Sequence, residues 1–392
     1  MNTAFGRSLS LLLICGMLLA ACQSSTLVPS PTAALHAAPI VVRTSAGSGR
    51  TGDLGGGYRD GPASEAQFRR PAALALHPSG YLLVADEKNH RIRAISPDGL
   101  VTTLAGSGPT GAVRGGYVDG PANQARFADP IGLCVGSDGT VFVADSDNQR
   151  IRAISPNGIV STLAGSGDFG KLIGNYRDGP ASEAQFNRPY DVVTDDVGNV
   201  YVADYFNNRV RCISPDGQVA TLAGDGQPGH ADGVGTAARL AYPNRLARDT
   251  QGNLYLTEGH SGDLGEWVSG NRVRAITPDG AVTTLAGSGA ASYADGLAAL
   301  AAFDTPMGVD VDAAGNVYVS EYLNHCIRII TPEGQVSTLA GRCGVSGYLD
   351  GGAGEARFSY PMDVLVSETQ NLLYVADFGN HRIRTITLPP AP

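Results

Sequence analysis

Cysteine is scarce in this sequence of 392 residues, which contains six. Cys15 and Cys22 lie in or directly after an apolar N-terminal segment. The remaining four are Cys134, Cys212, Cys326 and Cys343. Four cysteines are too few to staple a chain of this size, so the fold must depend on a packed core rather than on a disulfide framework.

Basic charge and a membrane-spanning apolar run are also lacking. The chain has 28 Lys and Arg against 37 Asp and Glu, a net charge of −9. This excess of acid argues against nucleic-acid binding, because phosphates require Lys and Arg. The apolar run 11–21 is shorter than the roughly 20 residues that a spanning helix needs. With Arg7 before it, the run is typical of a signal peptide.

The end of this run predicts a lipid anchor. Leu19-Ala20-Ala21-Cys22 resembles a bacterial lipobox, so we expect residues 1–22 to be a lipoprotein signal and Cys22 to carry acyl chains such as palmitate. An ordinary secretory signal with a chance cysteine is the alternative. Residues 23–40, rich in Ser, Thr, Pro and Ala, are predicted to be a flexible tether. The expected location is the cell envelope, on the outer face of the cytoplasmic membrane or on the outer membrane.

Beyond the tether, a repeat dominates the sequence. Its clearest copy, VYVADYFNNRVRCISPDGQVATLAG, occupies residues 200–224. An acid closes the apolar segment VYVA and its equivalents in each of six copies: Asp86, Asp145, Asp204, Glu258, Glu321 and Asp377. Each copy contains four segments with strand character, here named strands a to d, separated by turn residues such as Ser96-Pro97-Asp98-Gly99. Six units of four strands predict an all-β, six-bladed propeller over residues 41–388, followed by a short Pro-rich tail at 389–392.

The last copy lacks strand d, and an extra strand of this type precedes the first copy. Val41 to Gly47 aligns with Val101 to Gly106. We therefore expect the N-terminal strand to complete the sixth blade and so to remove the open edges of the array.

These copies resemble the NHL-repeat family of β-propellers. Asn89-His90-Arg91-Ile92, Asn324-His325-Cys326-Ile327 and Asn380-His381-Arg382-Ile383 approach its name motif. The resemblance implies six blades, in agreement with the count of copies. It also implies a function in binding or scaffolding, because the family is used in this way in sensor and cell-surface proteins.

Features present in every copy are interpreted as structural. Strand b acids and the aspartates of six Asp-Gly pairs (Asp60, Asp119, Asp178, Asp232, Asp295 and Asp350) are expected to bond loop N–H groups and to pair with a recurring arginine such as Arg91 or Arg150. His90, His325 and His381 occupy one repeated position and are interpreted as structural rather than as zinc ligands.

Function is sought where the copies differ, on the face that carries the b–c and the long d–a loops. The d–a loops contain GPASEAQF-like segments, in which Pro62 is predicted to begin a helical turn. Strand a begins with Pro followed by two variable residues near the predicted axis. Blade 4 has an insertion in its b–c loop. The candidate ligand-binding residues are Tyr190, Asp191, Asn244, Arg245, His260, Trp267, Met307, Met362 and Asp363. Whether the strand a residues line a pocket or fill the axis by pairing with one another is left open.

Three classes of function are considered. The first is a module that binds a protein, peptide or carbohydrate. The second is a metal-dependent enzyme of lactonase or lyase type. Propellers of the gluconolactonase type hold calcium at a strand a that starts with Pro-Asn-Gly. In this sequence only Asn244 matches the asparagine of that start, and Arg245 replaces the glycine. RNA binding is the third and is disfavoured by export and charge. No cofactor is predicted, with calcium or zinc left open. Cys326 and Cys343 flank strands c and d of blade 5 and are predicted to form a disulfide.

Overall fold

The computed structural model describes residues 39–52, 55–111, 115–167, 174–260 and 269–389, with the side chains of His260 and Ser269 excepted. The predictions for residues 1–38, for the His260 side chain and Trp267, and for residues 390–392 lie outside this description. In the described part, no helix is long and apolar enough to cross a membrane.

The described strands form six antiparallel sheets, one for each copy of the repeat. Strand a occupies Pro71–Leu76, Pro130–Val135, Pro189–Thr194, Pro243–Arg248, Pro306–Val311 and Pro361–Ser367. Strand b occupies Leu82–Asp86, Val141–Asp145, Val200–Asp204, Leu254–His260, Val317–Glu321 and Leu372–Asp377. Strand c occupies Arg91–Ile95, Arg150–Ile154, Arg209–Ile213, Ser269–Ile276, Cys326–Ile330 and Arg382–Thr387. Strand d occupies Leu100–Ala105, Ile159–Ala164, Gln218–Ala223, Ala281–Ala286, Gln335–Ala340 and, for blade 6, Val41–Ala46.

The ring is closed by its first strand, as predicted. Val41–Ala46 pairs antiparallel with Arg382–Thr387, and Val42 lies opposite Ile386. The six-bladed all-β architecture is therefore confirmed.

Each sheet also has a fifth strand of two residues that the sequence did not predict. It pairs with the start of strand d and occupies Gly61–Pro62, Gly120–Pro121, Gly179–Pro180, Gly233–Val234, Gly296–Leu297 and Gly351–Gly352. Proline is tolerated at such an edge because it has no N–H to leave unpaired. The predicted turn follows at Pro62, whose carbonyl accepts the N–H groups of Glu65 and Ala66.

Neighbouring blades are joined by apolar cores. Phe127 of blade 2, which is fully buried, packs in one cluster with Ala85 and Ile92 of blade 1. Five further clusters of this kind join the other pairs, and the one between blades 6 and 1 contains Ala46 and Phe68. Burying a phenylalanine side chain stabilises by about 1.5–3 kcal/mol. Closure therefore gives every described blade two packed neighbours.

Both rings of carboxylates bind one arginine per blade, but not the arginine that the sequence suggested. Arg93 donates to Asp86 at 2.7 Å and to Asp60 at 2.5 Å, and it has no solvent exposure. The equivalent residues are Arg152, Arg211, Arg274, Arg328 and Arg384. Arg91 and Arg150 instead donate to backbone carbonyls, those of Asn89 and Asn148. The structural interpretation of the acids is retained, whereas the choice of Arg91 and Arg150 was wrong.

The repeated histidines bond each blade to the next. His381 Nδ1 accepts the backbone N–H of Arg70 at 3.0 Å, and His381 Nε2 lies 2.8 Å from the carbonyl oxygen of Gly52. His90 and His325 accept the N–H groups of Asp129 and Tyr360 in the same way. In the other three blades the acceptor is Gln149, Asn208 or Asn271. These side chains therefore serve as hydrogen-bond acceptors between blades.

Candidate functional site

Three repeat positions converge on the axis at the long-loop face. The residue after the strand a proline forms a floor: Ala72, Ile131, Tyr190, Asn244, Met307 and Met362. The residue after the strand b acid forms a wall: Glu87, Ser146, Tyr205, Gly259, Tyr322 and Phe378. The residue before the strand a proline forms a rim: Arg70, Asp129, Arg188, Tyr242, Thr305 and Tyr360. Residue type at all three positions varies between blades, although the neighbouring proline and acid recur.

Residues from all three positions line one pocket, here called the axial pocket, of about 340 Å³. It is lined by Arg70, Glu87, Ile131, Arg188, Tyr190, Tyr205, Thr305, Met307, Tyr322, Met362 and Phe378. All of these lining residues belong to the floor, the wall or the rim. Positions whose side chains vary between blades thus meet at one place, as expected of a binding site on a repetitive scaffold.

One side of the axial pocket is aromatic. Tyr190 and Tyr205 stack with ring centroids 4.0 Å apart, and Tyr242 packs against Tyr205 at 5.4 Å. Further round the ring, Tyr322 lies 4.8 Å from Tyr360 and 6.1 Å from Phe378. Burial raises the pKa of Tyr322 to about 12, so its hydroxyl keeps its proton at neutral pH. We call these rings, which come from blades 3 to 6, the aromatic arc.

The other side is ionic. Lys88 Nζ lies 2.7 Å from Glu87 and 2.5 Å from Asp129, and Arg188 lies 3.4 Å from Asp147. Burial raises the pKa of Glu87, with the charge of Lys88 opposing this rise. Arg70 completes this group and lies over the Phe378 ring at 5.3 Å. We call Arg70, Glu87, Lys88, Asp129, Asp147 and Arg188 the ionic arc, which has three basic and three acidic members. Arg70, Glu87 and Arg188 line the pocket, whereas Lys88, Asp129 and Asp147 lie outside its lining and form ion pairs within the arc.

The axis beneath the floor is filled by Arg245. Its guanidinium group crosses the ring from blade 4 and donates to the carbonyls of Tyr190 at 3.0 Å and of Ala72 at 2.6 Å. It lies 3.5 Å from Asp191 and 3.9 Å from Asp363. Burial raises the pKa of Asp363 to about 8 and that of Asp191 to about 6, with the charge of Arg245 opposing both shifts.

The strand a candidates therefore divide into two groups. Tyr190, Met307 and Met362 line the axial pocket. Asp191, Asn244, Arg245 and Asp363 are buried outside its lining and bond to the protein. Asp363, for example, accepts the N–H of Leu74 at 2.8 Å, which joins blade 6 to blade 1. Tyr190, Met307 and Met362 thus line a pocket, whereas Arg245 fills the axis and pairs with Asp191 and Asp363. Asp191 and Asp363 also line a separate cavity of about 300 Å³.

The geometry at Asn244 does not fit a calcium site. The only Pro-Asn start continues into Arg245, whose cationic group lies on the axis. Asn244 itself donates to the carbonyl of Pro306 at 3.3 Å. Among the described residues, no group of three His, Cys, Asp or Glu side chains is placed to hold a metal ion.

The wall and the rim were missed by sequence reasoning. The sequence does mark the wall and rim positions, because at each of them residue type varies between blades directly beside a proline or an acid that recurs. The rim residues have positive φ angles, for example 57° at Arg70 and 51° at Arg188. This left-handed turn redirects the chain as it enters strand a, and no residue type announces it.

Cys326 and Cys343 form a disulfide with their Cα atoms 5.0 Å apart. The bond ties the start of strand c of blade 5 to the segment after strand d. In the equivalent place, Arg91 donates to the carbonyls of Asn89 at 2.6 Å and Gly108 at 2.8 Å. The disulfide therefore fixes the segment after strand d in blade 5, as Arg91 does for the equivalent segment in blade 1. Cys134 and Cys212 are unpaired thiols.

Comparison with known proteins identifies the repeats. The Teneurin NHL domain family matches residues 156–348, and the NHL repeat family matches residues 68–95 and 127–154. The six-bladed fold and these matches define an NHL-type propeller. The chain therefore belongs to the NHL-repeat β-propeller family.

Relatives extend over most of this chain. NHL repeat-containing protein 2 of Bos taurus is 27% identical over 84% of this chain, and teneurin-4 of Homo sapiens is 30% identical over 66%. The chain spans 48% and 10% of these two relatives' own lengths. Among solved structures, an auxiliary nutrient binding protein from Bacteroides thetaiotaomicron has a TM-score of 0.64 at 20% identity, covering 88% of this chain and 76% of its own. A gluconolactonase from Xanthomonas campestris has a TM-score of 0.51 at 16% identity, covering 89% of this chain and 100% of its own. These two structures share the fold.

Proposed function

We propose that this protein is an exported, lipid-anchored binding module whose ligand occupies the axial pocket. The observation that carries the proposal is the composition of that pocket. Its lining comes from three repeat positions that vary between blades, and aromatic, apolar and charged groups converge there. Such a mixture is typical of small-molecule sites.

The point at which the chain enters the ring supports display at a membrane. Strand d of blade 6 begins at Val41, and strand d begins on the face of the c–d turns, opposite the axial pocket. A tether from Cys22 would therefore attach the ring by the face away from the pocket.

Binding is favoured over metal-dependent catalysis by the position of Arg245. A cation on the axis at Asn244 would face the guanidinium charge directly, and like charges at such range repel strongly in a buried site. The gluconolactonase neighbour shares the fold at 16% identity and brings no activity to this chain.

A thermal-shift screen of the full chain in detergent tests the proposal. Sugars, amino acids, dipeptides and nucleosides are added in turn to the wild type and to Tyr190→Ala. The matched control is Tyr81→Ala, a partly exposed tyrosine that lines a groove away from the axial pocket. At least one compound class should raise the melting temperature of the wild type and the control, but not that of Tyr190→Ala. Equal stabilisation of all three proteins would place the site elsewhere and refute the proposal.

A further inference from the structure

We propose that the ligand of the axial pocket is an uncharged saccharide of one or two sugar units. This inference rests on the proposed binding function and narrows it to one ligand class. A sugar would lay an apolar C–H face on the aromatic arc and direct its hydroxyls to the ionic arc.

The charge balance of the ionic arc argues against ligands with a large net charge. The charged residues that line the pocket, Arg70, Glu87 and Arg188, belong to a set of three bases and three acids. Within this set, Lys88 bridges Glu87 and Asp129 at 2.7 and 2.5 Å. An ionic ligand would compete with one of these contacts and leave a buried carboxylate, Glu87 or Asp129, without its counter-charge, which is costly. Hydroxyl groups avoid this cost, because each can donate to a carboxylate and accept from a guanidinium while the ion pairs persist.

The aromatic arc supplies the complementary surface. Tyr190, Tyr322 and Tyr360 are partly exposed. Tyr205 also lines the pocket but is buried against Tyr190, and Tyr242 is buried against Tyr205. A tyrosine offers an apolar ring face together with a hydroxyl at one end. This combination matches a sugar ring, whose axial C–H groups are apolar and whose edge is polar.

The shape of the pocket favours a small sugar over a peptide. Its volume of about 340 Å³ is at the lower end of the range of roughly 300–1,000 Å³ for small-molecule sites. Extended peptides bind along an open groove or a free strand edge. The axial pocket is instead ringed by strand starts, and its floor is closed by Met307 and Met362 above Arg245.

Isothermal titration calorimetry on the full chain in detergent tests the inference. The probes are maltose, cellobiose, lactose and chitobiose as neutral sugars, digalacturonate as a charged sugar, and Tyr-Gly as a dipeptide. At least one neutral sugar should bind, and its affinity should change less than about twofold between 50 and 500 mM NaCl, because no net charge is matched. Tyr322→Ala and Arg188→Ala should each weaken binding at least tenfold, which corresponds to about 1.4 kcal/mol.

Two controls keep the result interpretable. Tyr81→Ala should bind as the wild type does, and Tyr322→Phe, which keeps the ring and loses only the hydroxyl, should retain the fold and part of the affinity. If only digalacturonate or Tyr-Gly binds, with loss in the same variants, the saccharide inference fails and the proposed binding function stands. If no probe shows binding that depends on Tyr322 or Arg188, the saccharide inference fails, and the thermal-shift screen then decides the proposed function separately.

Discussion

The disulfide of blade 5 should be replaceable by the arginine that other blades use. Blades 1, 3, 4 and 6 each place an arginine at the Cys326 position that donates to carbonyls of the b–c turn and of the segment after strand d: Arg91, Arg209, Arg272 and Arg382. In blade 5 the Cys326–Cys343 bond holds this segment and spans 17 residues of sequence. On the chain-entropy estimate, closing a loop of this length stabilises by about 3 kcal/mol. The double variant Cys326→Ser, Cys343→Ser should therefore lose up to about 3 kcal/mol of unfolding free energy.

A second variant, Cys326→Arg with Cys343→Ser, should recover part of this loss. Arg91 lies over the Tyr58 ring at 4.5 Å and Arg382 over the Tyr348 ring at 4.3 Å, and blade 5 keeps a tyrosine, Tyr293, at the equivalent position. A hydrogen bond from a charged donor contributes roughly 1.5–3 kcal/mol, and a cation–π contact about 0.5–1 kcal/mol at an exposed site. We expect recovery of at least half of the loss.

Urea denaturation, followed by fluorescence with and without reductant, measures these effects. Reductant should lower the midpoint of the wild type to that of the serine variant and should leave both variants unchanged. The reasoning is refuted if the serine variant loses less than about 0.5 kcal/mol, or if the arginine variant is no more stable than the serine variant.

Three further predictions follow from the contacts. Burial lowers the pKa of His381 below its ordinary value near 6.5. The contribution of His381 to stability is therefore complete above about pH 6.5 and is lost as the pH falls towards the lowered pKa. His381→Gln, which places the residue of blade 2 at this position, should reduce the loss of stability between pH 7 and 5, measured by urea midpoints. Asp377→Asn breaks a fully buried ion pair with Arg384 and should cost about 3–5 kcal/mol of unfolding free energy. Asp350→Asn should cost about 1 kcal/mol or less, because the Asp350 side chain is 41% exposed. Equal losses of the two variants in chemical denaturation would contradict this ranking. Cys22→Ser should move the protein from the detergent phase to the aqueous phase on phase partitioning, and an unchanged distribution would exclude lipidation at Cys22.

The fold was predictable because its determinants repeat. Six copies of one pattern locate the strands, and the missing last strand d identifies Val41–Ala46 as the closing strand. The contacts within a copy were less predictable. Asp86 lies directly opposite Arg91 in the sheet, yet Arg93 is its partner. A long side chain can reach a diagonal neighbour, and the carbonyls that occupy Arg91 come from a loop whose course the sequence does not specify.

The candidate site was predictable only in part, for a related reason. Sequence order shows that residues such as Tyr190 and Arg245 begin strand a, but not that Arg245 lies across the axis while Tyr190 faces the pocket. That difference is one of alternation: successive residues of a strand point to opposite sides. The bulge at the start of strand a, between Pro189 and Asp191, shifts this alternation where it matters.

The way in which the rim is held explains why the fold and the ligand are specified independently. Each rim residue is bonded to the preceding blade through its backbone N–H, as Arg70 is to His381 and Arg188 to Gln149. Its side chain contributes nothing to that bond, so its type can change from arginine to threonine or tyrosine while the blades stay joined. The strand b acids also bond a variable residue through its backbone. Asp86, for example, accepts the N–H of Arg69 at 2.7 Å, and this bond does not involve the Arg69 side chain. Stability therefore depends on recurring side chains that bond variable residues by their backbone, and ligand choice depends on the variable side chains themselves. The residues that recur in every copy therefore predict the fold from sequence, whereas the ligand has to be inferred from the positions at which residue type differs between copies.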